Sequence, residues 1–226
     1  MNLQTKITIA APDFSIDYNS KLMMLGSCFA ENMGGKFSYY KFDVDVNPCG
    51  IIYNPLSVAN VLRLIMEGKP FGKDDLRKVG EKWVSLYHHG AFSSTDPEEC
   101  LRRINERLER ATRELRSLDL LVITWGTAWV YKHVGENMVV SNCHKIPSQE
   151  FERSRLSVED IVKEYVELIG RLREINPGLR VLFTVSPIRH WKDGAHGNQL
   201  SKATLLLTCY SRVYLGVHYP GDLIAG

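Results

Sequence analysis

The sequence has no long apolar run and no excess of one charge, and these absences exclude large classes of protein. No segment approaches the roughly 20 apolar residues that a membrane-spanning helix needs, and residues 1–21 lack the apolar core of a signal peptide. The 28 basic and 26 acidic residues are scattered and give a formal charge of +2, whereas nucleic acid binding requires a basic patch. We therefore expect a soluble, cytoplasmic protein that neither spans a membrane nor binds nucleic acid.

Paired cysteines are also missing. The five cysteines are odd in number and form no CxxC pair, so the sequence indicates neither a closed disulfide framework nor a zinc site. Ligand types such as Cys143, His144 and His190 have no diagnostic spacing. Asp43 and Asp45 alternate like strand residues, and we interpret both as solvent-facing. We predict free thiols, no metal and no cofactor.

What the sequence does contain is an alternation of apolar runs and amphipathic segments. Residues 21–25, 118–124 and 180–185 are continuously apolar, as in strands that are covered on both faces. Residues 97–115 and 157–175 repeat apolar side chains every three or four positions, which is typical of helices with one buried face. This order predicts a three-layer α/β domain with a flavodoxin-like parallel sheet flanked by helices.

Two smaller elements complete the prediction. A short helix is expected over about residues 56–66, ending at Gly68, and a hairpin over residues 129–140 that turns near Gly135. In parallel sheets covered by helices, ligands bind beyond the carboxyl ends of the strands. The residues that follow each predicted strand are therefore the candidates for function.

Ser27 follows the first predicted strand and precedes a predicted helix. A hydroxyl at this point lies beside the unpaired amides of the first helical turn, and the nearest of these, the N–H of Cys28, could hold an oxyanion. Two other interpretations remain open. Ser27 is also a suitable helix cap without any chemistry, and Cys28 is either a competing nucleophile or a small buried side chain.

Residues 26–30 have the sequence GSCFA, the pentapeptide after which the GSCFA family is named. Further motifs that resemble this family follow in order: residues 47–55 (NPCGIIYNP), 126–131 (GTAWVY), 142–145 (NCHK), 186–191 (SPIRHW) and 198–203 (NQLSKA). The chain is thus identified as a member of the GSCFA family over about residues 20–207. The resemblance implies a relationship to SGNH, or GDSL-like, esterases and lipases, in which a serine after the first strand attacks an ester and a late histidine acts as base.

The resemblance also assigns roles to individual residues. Ser27 takes the position of the nucleophile, and Gly50 matches the glycine whose amide helps to form the oxyanion hole. The third motif is usually Gly-x-Asn-Asp, but here Ala128 stands where the oxyanion-binding asparagine would fall. The Thr127 hydroxyl and Asn142 are the candidates for a replacement donor.

The catalytic base is not assigned by the resemblance, because the expected Asp-x-x-His near the C-terminus is absent. His190, directly after the third strand, and His144 are the candidates, and both could face the same site; a structural role is the alternative for each. The implied activity is hydrolysis of a small-molecule or carbohydrate ester, for instance an acylated sugar. Ala128 and the missing histidine favour the alternative, a non-catalytic glycan-binding or interaction domain on the same fold.

The GSCFA resemblance stops at about residue 207, and residues 208–226 resemble a different family. Arg212, His218 and Asp222 have the spacing of the last motif of type 2 phosphatidic acid phosphatases, in which histidine attacks phosphorus. The earlier motifs of that family are absent from this sequence. We therefore predict a GSCFA domain over residues 1–207 and a distinct tail, and a fragment of a phosphatase-like fusion is a further alternative for function.

Overall fold

The computed structural model describes residues 14–214, which form five α-helices, nine strands and several short 3-10 turns. The first half contains β1 (Lys21–Gly26), α1 (Cys28–Tyr39), β2 (Asp43–Val46), α2 (Pro55–Glu67), β3 (Arg77–Val79), β4 (Lys82–Val84) and α3 (Pro97–Leu115). The second half contains β5 (Leu120–Trp125), β6 (Trp129–His133), β7 (Met138–Val139), β8 (Phe151–Arg155), α4 (Val158–Ile175), β9 (Arg180–Val185) and α5 (Gly194–Tyr214).

A four-stranded parallel sheet forms the centre of the molecule. Its order is β2-β1-β5-β9, and every neighbouring pair is parallel. Counted along the chain within this sheet, that order is 2-1-3-4, which is the order of flavodoxin-like sheets. The predicted three-layer α/β architecture is confirmed.

The two faces of the sheet are buried in separate cores. Met23 and Leu121 belong to the larger core, which contains side chains of α2, α3 and α4, whereas Leu22 and Leu120 lie in the smaller core with Ala30 of α1. Because consecutive residues of β1 and β5 enter opposite cores, both must be apolar. This is why the strand sequences are continuous rather than alternating.

The predicted helix boundaries are also confirmed. The side chain of Asp96 accepts a hydrogen bond from the Glu98 N–H at the start of α3. At the start of α4, Ser157 and Asp160 form reciprocal bonds between side chain and backbone. Gly68 ends α2 with a left-handed backbone. Each boundary is set by local chemistry, which a short stretch of sequence contains.

A second, antiparallel sheet has the order β7-β6-β8, and β3 and β4 form a separate hairpin. The predicted hairpin over residues 129–140 is confirmed by the pairing of β6 with β7. The strand β8 was not predicted, because four of its five residues are exposed and carry no apolar alternation. Pairing with β6 makes it a strand.

Asp45 is buried, and the prediction that it faces solvent was wrong. Its side chain is 4% exposed, and Oδ1 accepts a hydrogen bond of 2.7 Å from Arg107 Nη2 on α3. Arg107 also donates to the carbonyl oxygen of Val46 at 3.2 Å. Asp43, two residues earlier on the same face of β2, is exposed. A buried carboxylate is tolerated only beside a partner of this kind.

All five cysteines are free thiols, as predicted. Of the helices described here, none is both long enough and apolar enough to cross a membrane. The helix α5 continues past residue 207, where the tail was predicted to begin, as far as Tyr214. His218 and Asp222 lie outside the described residues, so the interpretation of the tail stays a prediction.

Candidate functional site

Ser27 and His190 meet at Gly126, beyond the carboxyl ends of β1, β5 and β9. A Cβ atom added to Gly126 would lie 3.4 Å from Ser27 Cβ and 3.2 Å from His190 Nε2. Since both atoms lie this close to one point, the serine and the imidazole are neighbours. The same point is 3.2 Å from Tyr53 Cδ1. This is the edge of the sheet at which such folds bind ligands.

Ser27 is the N-cap of α1 and is only 1% exposed. Its Oγ accepts a hydrogen bond of 3.3 Å from the Phe29 N–H, and its own N–H donates to the Thr124 carbonyl oxygen at 3.1 Å. The turn before it requires Gly26, whose φ is +130° and whose added Cβ would lie 2.0 Å from Thr124 O. The hydroxyl therefore serves as a helix cap and must leave Phe29 before it can attack a substrate.

Asn47 holds the turn that presents Ser27. Its Oδ1 accepts a hydrogen bond of 2.9 Å from the Gly26 N–H, and its Nδ2 donates to Glu31 Oε2 at 2.7 Å. Asn47 itself has a left-handed backbone, with φ of +43°. The sequence analysis noted Asn47 only as part of a family motif and assigned it no role. Its role follows from contacts with Gly26 at the end of β1 and Glu31 in α1.

His190 lies in the loop after β9, and its ring packs edge-on against Tyr53 with 5.2 Å between centroids. Burial lowers the pKa of His190 below its ordinary value; the nearby ammonium of Lys202 lowers it further, and Asp193 opposes both effects. The imidazole is therefore neutral at pH 7. A neutral imidazole can accept a proton, which is what a catalytic base must do.

Lys202 is a component of the site that sequence reasoning missed. Its Nζ donates to the carbonyl oxygen of Gly126 at 2.6 Å and also to that of Ser186. Burial lowers the pKa of Lys202 to about 8, an effect that Asp193 and Cys28 partly oppose. A lysine within a helical segment usually points to solvent. The sequence around Lys202 therefore does not indicate that its ammonium group lies between two carbonyl oxygens.

Cys28 is half-buried and lies close enough to Tyr53 and Lys202 to affect their titration. Burial raises the pKa of Tyr53, and Cys28 raises it further. The Cys28 N–H is the first amide of α1, a position that has no carbonyl partner within a helix. Both its amide and its thiol are thus beside Ser27, as the sequence predicted, and Cys28 stays a candidate nucleophile.

Gly50 does not offer the free amide that the resemblance implied. Its N–H donates to the carbonyl oxygen of Asn47 at 2.7 Å. Its φ is +81°, and an added Cβ would lie 2.3 Å from the Cβ of His89. Glycine is required here because the chain turns tightly against His89. In this arrangement the amide holds the turn and is not available to an oxyanion.

The Thr127 hydroxyl is likewise engaged, 3.1 Å from Ser201 Oγ and accepting from the Trp129 N–H at 3.2 Å. Ser201 Oγ also accepts a hydrogen bond of 2.7 Å from the Ala128 N–H. Ala128 is fully buried, and its side chain offers no donor in place of the asparagine of the related motif. These residues connect the end of β5 to α5.

Asn142 is the donor that remains. Its Oδ1 accepts a hydrogen bond of 2.8 Å from the His144 N–H, while no acceptor for its Nδ2 is found among the described residues. His144 itself lies apart from Ser27, with Nε2 donating to the Ser85 carbonyl oxygen at 2.9 Å. It lines a separate cavity of about 480 Å³, whereas Asn142 lines both this cavity and the cleft that contains His190. Of the two histidines predicted to share a site, His190 is the one that lies beside Gly126 together with Ser27.

A cleft of about 510 Å³ opens beside His190. Its walls include the aromatic and polar side chains of Tyr53, Asn54, His89, Thr127, Trp129, Tyr131, Asn142, Arg153, His190, Lys192 and Asp193, together with Ile51, Val140, Ser141 and Cys143. The guanidinium of Arg153 lies 4.1 Å from the ring centroid of Trp129 and also pairs with Asp193. Within residues 14–214, no group of three or more His, Cys, Asp or Glu side chains is arranged to hold a metal ion.

Comparison with known proteins gives one result. No curated protein and no solved structure matches the chain. The model of the GSCFA family matches residues 21–219, which extends beyond residue 207, where the resemblance was expected to stop. Since this match covers most of the 226 residues, the chain belongs to the GSCFA family.

Proposed function

We propose that this chain is a serine ester hydrolase in which Ser27 is the nucleophile and His190 is the base. The observation that carries the proposal is the convergence of Ser27 and the neutral His190 on Gly126, at the carboxyl edge of a parallel sheet. Membership of the GSCFA family suggests a hydrolase-like domain, which supports the same class of activity.

In the proposed reaction, the Ser27 hydroxyl turns from the Phe29 N–H toward His190 Nε2. His190 takes the proton as Oγ attacks the acyl carbon, and it then protonates the alcohol that leaves. Water next attacks the acyl-enzyme, again giving its proton to His190, and the released Ser27 oxygen takes that proton back. The products are the alcohol and the acid, and both residues return to their starting states.

The N-terminus of α1 is proposed to hold the oxyanion. The Cys28 N–H is unused by the helix, and the Phe29 N–H becomes free once the Ser27 hydroxyl rotates away. Both amides lie at the positive end of the helix dipole, which favours negative charge. Two backbone donors would thus replace the Gly50 amide and the absent asparagine.

An acylated carbohydrate is the proposed class of substrate. The cleft of about 510 Å³ presents the rings of Trp129 and Tyr131 together with polar groups of Asn142, Lys192 and Arg153. Pockets that combine aromatic walls with a few placed polar groups suit small ligands that have both flat apolar faces and hydroxyls. His190 lines the same cleft, so a sugar ester bound there would lie beside the proposed base.

Treatment with a fluorophosphonate probe tests the proposed nucleophile without knowledge of the substrate. We expect one adduct per chain in the intact mass, located on the peptide that contains Ser27, because the probe reacts with activated serines. Heat-denatured protein, in which Ser27 and His190 are separated, serves as the control and should stay unlabelled. A folded protein that forms no adduct contradicts the proposed function.

The pH dependence of aryl ester hydrolysis tests the proposed base. The pKa of His190 is lowered from its ordinary value and the neutral form is active, so on the acid side kcat/KM should rise through a pKa below about 6.5. His190→Gln should lower kcat by about 10²–10⁴-fold and remove this acid limb. His144→Gln is the matched control, and an equal loss in that variant would show that His190 is not the base.

A non-catalytic carbohydrate-binding domain is the second candidate function. The burial of Ser27 and the use of its hydroxyl as a helix cap favour it, since capping needs no chemistry. Measuring carbohydrate binding and fluorophosphonate labelling on the same protein distinguishes the two candidate functions. Carbohydrate binding without a fluorophosphonate adduct would support the binding domain, and an adduct on Ser27 would exclude it.

A further inference from the structure

We propose that Lys202 is a positioning residue of this site, which joins the ends of β5 and β9 and holds Gly126, the residue beside which Ser27 and His190 lie. The expected effect of Lys202 on catalysis rests on the proposed function, the hydrolysis of an ester by Ser27. Its structural part, the link between Lys202 and His190, can be measured independently of any activity.

The ammonium group of Lys202 connects two strand ends. Gly126 and Ser186 are the residues immediately after β5 and β9, and Nζ donates to the carbonyl oxygens of both. The Ser186 N–H also donates to the carbonyl oxygen of Trp125 at 2.8 Å. A hydrogen bond from a charged donor is stronger than one between neutral groups, so Lys202 is the strongest link between these two carbonyls.

The position of Gly126 determines how Ser27 and His190 meet. Its N–H donates to the carbonyl oxygen of Tyr53 at 2.7 Å and its carbonyl accepts from Lys202, so the peptide on each side is anchored. Ser27 Cβ and His190 Nε2 both pack against this residue. A shift of Gly126 would therefore change the distance between nucleophile and base, to which rates are sensitive.

The charge of Lys202 acts on His190 as well. A cation next to an imidazole opposes its protonation, and this effect adds to that of burial. The other charged or titratable groups that act on Lys202 are Asp193 and Cys28, and Arg189 and Cys209 line the same cavity of about 310 Å³. Asp193 opposes the effect of Lys202 on His190. The lowered pKa of Lys202, about 8, means that its charge is present at pH 7 and is lost as the pH rises through that value.

Lys202→Met and Lys202→Arg separate the two contributions. Relative to wild type at pH 7, Lys202→Met should lower kcat for p-nitrophenyl acetate by about tenfold or more with KM within about twofold, because positioning acts on the reacting geometry. The wild-type rate should fall above about pH 8, and Lys202→Arg should lose that alkaline limb, since a guanidinium stays charged. Lys163→Met, at an exposed position on α4, is the matched control and should behave as wild type.

The titration of His190, followed by NMR of its ring, gives the readout that needs no activity. Lys202→Met should raise the pKa of His190, and Lys163→Met should not. If the wild type labels with fluorophosphonate but Lys202→Met matches it in kcat and in His190 titration, the inference is overturned and the proposed function stands. If the wild type does not label, the proposed function fails, and the His190 titration alone then supports or overturns the role of Lys202.

Discussion

Replacement of Ser27 by alanine is expected to abolish fluorophosphonate labelling and to lower kcat/KM for an aryl ester by on the order of 10³-fold or more, the scale of nucleophile deletions in serine hydrolases. Cys28→Ala should keep the adduct and most of the activity, because in the proposed reaction only the Cys28 backbone amide takes part. Intact mass and initial rates measured on both variants check the expectation.

These two variants also decide between the competing nucleophiles. A label that persists in Ser27→Ala but disappears in Cys28→Ala would assign the chemistry to the thiol. Ser27→Ala removes the cap of α1, which costs about 1 kcal/mol, so a thermal melt must show that the variant is folded. Loss of labelling in a folded Ser27→Ala protein then reports chemistry and not unfolding.

Arg107→Met is expected to lower the free energy of unfolding by about 3–5 kcal/mol, because it leaves the buried carboxylate of Asp45 without its cation. Asp45 is 4% exposed, its Oδ2 has no hydrogen-bond partner among the described residues, and the nearby Arg110 is already paired with Glu114. Urea denaturation measures the change. The effect is large because Arg107 is the cation that is hydrogen-bonded to the buried carboxylate.

Arg103→Met is the matched control for this prediction. Arg103 lies on the same helix and pairs with Glu99 on an exposed face, where an ion pair contributes less than about 1 kcal/mol. The double variant Arg107→Met with Asp45→Val should recover much of the lost stability, since it removes the unpaired charge as well. If Arg107→Met costs no more than Arg103→Met, the buried pair does not stabilise the protein as described.

The strands of the central sheet and the helix ends could be predicted because each depends on residues that are close together in the sequence. The strands β1, β5 and β9 are apolar throughout since helices cover both of their faces, and the caps at Asp96 and Ser157 involve residues two or three positions apart. The same holds for Ser27, whose place after a strand and before a helix follows from the order of these elements. The family resemblance then indicated Ser27 as the nucleophile, but it did not identify the histidine that acts as the base.

The parts that could not be predicted depend on contacts between distant segments. Asp45 was expected in solvent, and only the packing of α3 against the end of β2 brings Arg107 to it. His144 and His190 have equally polar sequence surroundings, and the topology brings only one of them to Ser27. Lys202 is half-buried because two carbonyl groups 60 residues apart in the sequence meet at its ammonium.

By itself, the sequence determined the α/β alternation, the burial of the strands, the helix ends and the position of Ser27, because each depends on patterns within a few residues. Only the tertiary structure decided which histidine faces Ser27, that the Gly50 amide is occupied, and that Lys202 joins two strand ends. These features arise where loops from β1, β5 and β9 converge, and the hydrogen bonds formed there join residues that lie far apart along the chain.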